Sequence, residues 1–224
     1  MCGEFPERVK GAVAGGLCKI VHHGKACGHT LRMEDDFEQL STCLIWTSVF
    51  RDISIDPVEL SDASVSLGDF LTTMKHIRPY KSLRYRGHNS FRLQCYFITH
   101  LVFILTRWGA VRLEPRTSFV EEYLFLVANM DVVIWLKDPE LVGEFVQALH
   151  ILDTPDDHAA MQRGRHYLLM NERAGTMRGN WVNTNAGYYQ RYHTAYCGII
   201  GLAAFTFDDD DAPPRDDSLD MHFK

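Results

Sequence analysis

No stretch of this sequence is apolar for long enough to cross a lipid bilayer. The most apolar segment, residues 95–105, is short and is bounded by Arg92 and Arg107, so a buried core helix explains it better. Residues 1–16 also lack the continuous apolar stretch of a signal peptide, because charged residues and glycines interrupt them. The sequence therefore predicts a soluble, cytoplasmic chain with no membrane span.

The chain also lacks any cluster of basic residues. Its 23 Lys and Arg residues are scattered, and 29 Asp and Glu residues give a net charge of −6. Nucleic-acid binding needs a basic stripe that neutralises phosphates, so we expect no nucleic-acid partner. The acids concentrate in residues 208–224, where Pro213 and Pro214 interrupt them. Such a segment repels itself and has nothing to bury, which predicts a disordered acidic tail.

Paired Cys-x-x-Cys motifs are missing, and the six cysteines are irregularly spaced. Cys43, Cys95 and Cys197 lie in apolar helical patterns, where a thiol behaves as a small hydrophobe, and this favours a reducing compartment. Residues 1–35 contain many glycines and no sustained period, which predicts an irregular segment. This segment holds a group of residue types that zinc prefers, namely Cys18, His22, His23, Cys27 and His29. Their spacing matches no paired finger, so a zinc site and an incidental grouping both stay open, and no metal site is predicted elsewhere.

Familiar catalytic motifs are missing as well. The sequence has no Gly-x-Ser-x-Gly, no glycine-rich phosphate loop and no His-Glu-x-x-His, which disfavours the common hydrolases, nucleotide enzymes and zinc proteases. No pattern identifies a cofactor, so the cofactor is unknown. No segment alternates apolar and polar residues as a half-buried strand does, and every sustained pattern of apolar residues repeats at helical spacing.

Helix start and stop signals are clearest after residue 88. They predict helices over 89–108, 118–136, 139–152, 154–175 and 189–205, with a basic, polar loop over 81–88. Asp138 and Pro139 form the strongest start signal, because Asp caps a helix and Pro presets its first turn. Gly109 suits the left-handed residue that ends a helix, whereas Gly198 and Gly201 allow a close neighbour.

The arrangement of these helices follows from their short connections, which force neighbours to pack antiparallel. Long apolar helices end at intervals of about fifty residues, the length of one helix-pair repeat. The prediction is an all-α domain over residues 36–207, in which antiparallel helix hairpins stack as a partial α/α-toroid or a short helical solenoid.

A family resemblance is consistent with this fold. It is carried by the helical segment 159–175, the turn Gly179-Asn180-Trp181, the run Tyr192-His193-Thr194-Ala195 and the pair Gly201-Leu202. Residues 158–205 resemble the repeat of the α/α-toroid proteins, which include the triterpene cyclases and the β subunits of protein prenyltransferases. The resemblance implies a fold whose inner helices face a central cavity. The acidic motif of the cyclases and the zinc ligands of the prenyltransferases find no match in context, so neither activity is carried over.

Polar residues on otherwise apolar helices mark a candidate site. Tyr96 and His100 lie one turn apart on the first long helix, as either a hydrogen-bonded core pair or a base or ligand position. Glu144, next to Gly143, faces either solvent or a cavity, and solvent is favoured.

The start of the final helix is rich in side chains that can line a pocket, namely Tyr188, Tyr189, Tyr192, His193 and Tyr196. If the helices that begin near 89, 139 and 189 are successive inner helices, their polar faces converge. The catalytic set would then be His100, Glu144, Tyr192 and His193. The ligand-binding set would be Tyr96, Trp181 and Tyr196, although Trp181 also suits a packing role.

Two functional classes follow. The chain is either an enzyme or enzyme remnant that acts on a small organic ligand in an aromatic, His-lined cavity, or a helical-repeat module whose concave face or acidic tail binds a protein partner. Convergence of His100, Glu144 and His193 on one site would favour the enzyme. Their separation on different faces would favour the module.

Overall fold

The computed structural model describes residues 77–110, 119–173 and 187–203, together with helical positions between residues 37 and 48. Within these residues, 77% of positions are helical and no strand occurs. The helices of the continuous ranges are α1 (Leu83–Arg86), α2 (His88–Leu105), α3 (Val120–Trp135), α4 (Pro139–Ile151), α5 (Ala159–Arg173) and α6 (Tyr188–Leu202). The all-α prediction is confirmed for this part of the chain.

Helix α2 is buried along most of its length, as its nearly uniform apolar sequence predicts. It ends at Leu105 and does not reach Trp108. The Thr106 hydroxyl donates to the Val102 carbonyl at 2.7 Å, and Trp108 then takes a left-handed φ of 60°. Gly109 has a φ of 87°, the left-handed conformation predicted for it. None of the described helices is both long and apolar enough to span a membrane.

Helix α4 lies at the centre of the described structure and packs against α2, α3, α5 and α6. Its start agrees with the sequence signal. The Asp138 carboxylate accepts a hydrogen bond from the Leu141 backbone N–H at 3.2 Å, and Pro139 is the first helical residue. Because every residue from Pro139 to Leu149 is buried, polar side chains on this helix face protein.

Glycines bring α4 and α6 into backbone contact. A Cβ atom on Gly143 would lie 2.3 Å from the Cys197 carbonyl oxygen, and one on Gly201 would lie 2.9 Å from the Gly143 Cα. Only glycine fits at such positions without a backbone shift. The close neighbour expected at Gly201 is therefore α4, and its approach places the polar residues of the two helices side by side.

Residues 81–88 are not the simple loop that their composition suggested. They contain α1, and they are tied to α2 through the fully buried amide of Gln94. This amide accepts from the Lys81 N–H at 3.0 Å and from Arg86 Nε at 2.7 Å, and it donates to the Lys81 carbonyl at 2.8 Å. A buried amide needs such partners, and local composition does not reveal them.

Helix α5 begins at Ala159, whereas the sequence signal placed its start at Thr154. A turn comes first, in which the His158 N–H donates to the Pro155 carbonyl at 2.9 Å. The His158 ring then accepts from the Ala160 N–H at 3.3 Å and serves as the cap that Thr154 was expected to provide.

Helical positions before residue 50 also reach this core. Leu40 and Leu44 are fully buried, as their helical spacing predicts, whereas Ile45 is partly exposed. The Phe37 ring lies 5.4 Å from the Phe97 ring of α2. The core thus extends from these positions to α6.

Candidate functional site

Polar side chains from three helices meet at the centre of the described structure. We call them the three-helix cluster: Tyr96, Thr99 and His100 of α2, Glu140 and Glu144 of α4, and His193, Thr194 and Cys197 of α6. On each helix the members lie next to each other or one turn apart, so together they cover one side of the helix. Contacts across the cluster join residues that are 44 to 54 positions apart in sequence.

Glu144 lies at the middle of the cluster and is buried, which corrects the expectation that it faces solvent. One carboxyl oxygen accepts from the Thr99 hydroxyl at 2.5 Å. The other lies 3.8 Å from the Cys197 sulfur and 4.0 Å from His100 Nε2. Burial raises the pKa of Glu144 to about 8, because the carboxylate would lose its hydration, and nearby Glu140 adds to the effect. The carboxyl is therefore protonated at neutral pH.

His193 and Glu140 form an ion pair at the edge of the cluster. The two groups are 3.0 Å apart, and the Thr194 hydroxyl donates to the second Glu140 oxygen at 3.0 Å. The hydrogen bond to Glu140 raises the pKa of His193. Burial opposes ionisation of Glu140, but hydrogen bonds from His193, Tyr96 and Thr194 lower its pKa. Both shifts favour the charged forms, an imidazolium and a carboxylate.

His100 has the opposite electrostatic character. Burial lowers its pKa to about 4, and the neighbouring His193 charge lowers it further. His100 Nε2 lies 4.0 Å from a Glu144 oxygen, which is within salt-bridge distance. Both groups are nevertheless neutral at pH 7, because the pKa of His100 is lowered and the pKa of Glu144 is raised. The ring stacks on Tyr96 with a centroid separation of 6.4 Å. The surroundings thus favour the charged form of one imidazole, His193, and the neutral form of the other, His100.

Cys197 is a member of the cluster that sequence reasoning missed, since its apolar surroundings suggested a small core hydrophobe. Its sulfur lies 3.8 Å from both His193 Nδ1 and a Glu144 oxygen. One potential ligand atom from each of Glu144, His193 and Cys197 lies within 4.8 Å of the others. Burial raises the pKa of the Cys197 thiol, so it is not a thiolate nucleophile. The sequence signal that could have placed Cys197 in the cluster is its position four residues, about one helical turn, after His193.

The structure brings together four of the predicted site residues: Tyr96, His100, Glu144 and His193. It does not bring Tyr192 and Tyr196 to the cluster. Their rings stack on each other at 6.1 Å, with Tyr192 54% exposed and Tyr196 42% exposed. They lie on the outer face of α6, because each precedes His193 or Cys197 by one residue and is turned by about 100° away from the side on which Thr194 lies. Tyr189 instead stacks on the His193 ring at 5.2 Å.

Three other predicted features lie outside the described residues. They are Trp181, the acidic segment 208–224, and the N-terminal group of Cys18, His22, His23, Cys27 and His29. The zinc site suggested for that group and the ligand-binding role of Trp181 stay predictions.

A second buried polar network lies between α3 and the segment before α1. Glu122 is fully buried and accepts two hydrogen bonds from the Arg78 guanidinium, at 2.9 and 2.7 Å, and one from the Tyr80 hydroxyl at 2.5 Å. Each charge has a well-oriented partner, which is typical of a structural ion pair. Sequence reasoning did not find this network, because its members are 42 and 44 positions apart.

Comparisons with family models, with curated proteins and with solved structures find no match for this chain. The resemblance of residues 158–205 to an α/α-toroid repeat therefore stays a prediction.

Proposed function

We propose that this protein is an enzyme that acts on a small organic molecule at the three-helix cluster. The observation that carries the proposal is the meeting of His100 of α2, Glu144 of α4 and His193 of α6 around one point. No single helix supplies this set. The reactive groups are therefore assembled only in the folded domain, as acid–base sites of enzymes are.

The energetics of the cluster favour a functional reading. Glu144 is fully buried and has no cation in hydrogen-bond contact, because the nearby His193 is paired with Glu140, and this Glu140–His193 pair is itself largely buried. Apolar residues of similar volume at such positions are often equally or more stabilising. Groups whose pKa values are strongly shifted by burial and by specific partners concentrate at catalytic sites. The cluster is thus better suited to chemistry than to holding the core together.

The cluster reaches solvent through its two imidazoles. The His100 side chain is 19% exposed and the His193 side chain is 21% exposed. Each ring is stacked on a tyrosine, Tyr96 or Tyr189. A flat organic molecule could stack on these aromatic faces and contact both imidazoles, which explains why we propose a small, partly apolar substrate.

The proposed reaction is general acid–base catalysis. His193 is oriented by Glu140 and carries a proton that it can donate, whereas neutral His100 can accept one. One acid and one base at the same opening suit a proton transfer within the substrate, such as an isomerisation or an elimination. Glu144 is the polar group between them.

The distribution of the cluster over the helices agrees with the proposed partial α/α-toroid. Its residues come from α2, α4 and α6, whereas the intervening α3 and α5 contribute none. An alternation of inner and outer helices has this pattern. We therefore propose α2, α4 and α6 as inner helices that surround the substrate site.

A thermal-shift screen of small organic compounds tests this function on the full chain at pH 7. A compound at 100 times its Kd adds about 2.7 kcal/mol to the unfolding free energy, which raises the Tm by roughly 5–10 °C for a chain of this size. We expect stabilising compounds to lose this effect in His100→Gln and to keep it in His88→Gln. His88 is the matched control because it lies on the same helix, outside the cluster, against Trp135. Stabilisers that act equally on His100→Gln, or a screen without any stabiliser, would contradict the proposal.

A protein-interaction module is the second candidate, and the outer face of α6 favours it. Tyr188, Tyr192, Tyr196 and Ile199 are exposed there at helical spacing. A module of this kind would not depend on the three-helix cluster. Tyr192→Ser would then weaken binding to a protein partner, and the compound screen would give no His100-dependent stabiliser.

A further inference from the structure

We propose that Glu144, His193 and Cys197 bind a zinc ion, with the fourth coordination position open toward the substrate. This inference rests on the function proposed above, because both use the same site, and it adds a zinc ion to that site. It needs no residue outside the described part of the chain.

The distances in the cluster are close to those that a zinc ion imposes. Zn–S bonds of about 2.3 Å and Zn–N or Zn–O bonds of about 2.0–2.1 Å place a sulfur and a nitrogen or oxygen ligand about 3.5 Å apart in a tetrahedron. The Cys197 sulfur is 3.8 Å from His193 Nδ1 and 3.8 Å from a Glu144 oxygen. The remaining pair of ligand atoms, on Glu144 and His193, lies within 4.8 Å, so this edge would have to close by up to roughly an ångström to reach tetrahedral geometry.

The helices hold these ligands in register. His193 and Cys197 lie one turn apart on α6, and the glycine contact at Gly143 presses this turn against the turn of α4 that carries Glu144. A contact between backbones leaves little freedom for the two helices to separate. The ligand set is thus preorganised by the fold.

The donor types select the metal. A thiolate, an imidazole and a carboxylate are the ligands that zinc takes in proteins, whereas magnesium and calcium prefer oxygen alone. The metal would replace the contact of Glu140, which lies 3.0 Å from the same His193 Nδ1. The cluster also supplies a supporting hydrogen bond, because the Thr99 hydroxyl holds one Glu144 oxygen and leaves the other for the metal. Supporting partners of this kind orient ligands and raise affinity.

The proposed ion would have three protein ligands, which is typical of catalytic zinc and not of structural zinc. The partly exposed His100 lies 4.0 Å from the Glu144 oxygen that faces Cys197. It therefore stands beside the proposed metal, where it can contact a substrate bound at the fourth position. With His193 Nδ1 on the metal, the ion would take over as a Lewis acid the role that the proton of His193 has in the proposed reaction, and His100 would remain the base.

Cobalt binding tests the site, because tetrahedral Co²⁺ replaces zinc and a thiolate ligand gives it a sulfur-to-metal charge-transfer band. The full chain carries Cys18→Ser and Cys27→Ser throughout, so that the N-terminal Cys and His residues do not contribute. We expect the band to saturate at one ion per chain. Cys197→Ser should abolish it, and Cys95→Ser, the matched change at the other buried thiol described, should leave it intact.

Two further variants keep the test decisive if Cys197→Ser fails to fold, as judged by circular dichroism. Thr99→Val removes the hydroxyl that holds Glu144, and it should weaken cobalt binding about 10–100-fold while the band keeps its shape. Glu144→Gln removes a ligand charge and should weaken binding by at least about tenfold. Absence of the band, its survival in Cys197→Ser, or unchanged affinity in both other variants would overturn the zinc site.

The proposed function and the proposed zinc site share the same residues, but different experimental results would overturn them. If compounds stabilise the chelator-treated protein and lose this effect in His100→Gln, but no cobalt band appears, the zinc site is overturned and the proposed function stands. A Cys197-dependent band in a protein that no compound stabilises would overturn the proposed function and leave the metal site.

Discussion

Glu122 and Glu144 are both buried carboxyl groups, but their surroundings give them different roles. Glu122 receives a bidentate guanidinium and a phenol, so its negative charge is fully compensated. Glu144 receives one hydroxyl and lies beside a thiol and a neutral imidazole. The first arrangement stabilises a fold, and the second leaves a carboxyl group available for chemistry or for a metal.

The titration of Glu144 gives a testable pH dependence in the metal-free protein. Between its unperturbed pKa of 4.5 and its folded pKa of about 8, the native state keeps a proton that the unfolded chain has lost. The unfolding free energy should therefore fall as pH rises across this window, by up to about 1.4 kcal/mol per pH unit, relative to Glu144→Gln. The contribution is fully present below pH 4.5 and is lost above about pH 8.

Chemical denaturation of both proteins in the presence of a chelator, from pH 5 to pH 9, measures this difference. The groups that face Glu144 remain in both proteins, and their own titration largely cancels; they are His100, Glu140, His193, Cys197 and Asp138. A difference that stays flat with pH would show that Glu144 is ionised in the native state.

Glu122→Gln should destabilise the fold strongly. The change leaves the Arg78 guanidinium without its counter-charge at a part-buried position, and breaking such a pair typically lowers the unfolding free energy by about 3–5 kcal/mol. Asp131→Asn is the control, because it breaks the exposed pair with Arg163 and should change stability by about 0–1 kcal/mol. Urea denaturation at pH 7 measures both, and equal small effects would show that the Glu122 network is dispensable.

At the scale of elements, the contact between α4 and α6 is the one that builds the site. Gly143→Ala would place a methyl group 2.3 Å from the Cys197 carbonyl, which neither backbone can avoid without moving. We expect a loss of roughly 3 kcal/mol or more in unfolding free energy, together with loss of cobalt binding, because the helices must separate. Gly187→Ala, at the start of α6, meets no atom within 4 Å and should leave both quantities nearly unchanged. A Gly143→Ala protein with native stability would show that the helices do not depend on this contact.

The two faces of α6 explain why Tyr192 and Tyr196 lie apart from the other predicted site residues. The tyrosines were grouped with His193 because they are neighbours in sequence, although a helix separates neighbours by about 100°. His193 and Cys197 point into the domain, whereas Tyr192 and Tyr196 remain exposed. Helical spacing thus identifies the inner face better than proximity along the chain does.

At the scale of the whole molecule, the acidic segment 208–224 allows one prediction from composition alone. Deleting it should change the Tm by less than about 1 °C, because acids interrupted by prolines have no apolar surface to bury. Differential scanning calorimetry of the full and shortened chains checks this. A fall of several degrees would mean that the segment packs against the domain.

Much of the fold could be predicted from the sequence. Local signals identified the all-α class, the burial of α2, the start of α4 at Asp138 and Pro139, and the left-handed Gly109. These features depend on residues close together in the chain, where caps, periodicity and glycine conformation act directly. The errors lay at α1 and at the start of α5, where buried hydrogen bonds from distant or unusual partners decided the outcome.

The sequence by itself determined which helices form and which of their positions are polar, because both follow from interactions within a few residues. Only the tertiary structure decided that Glu144 is buried and protonated, and that Cys197 faces it. These properties depend on the approach of α4 and α6 at Gly143, which joins residues more than fifty positions apart. The pKa of a carboxyl group is set by the water and charges around it, and the folded packing of helices supplies both.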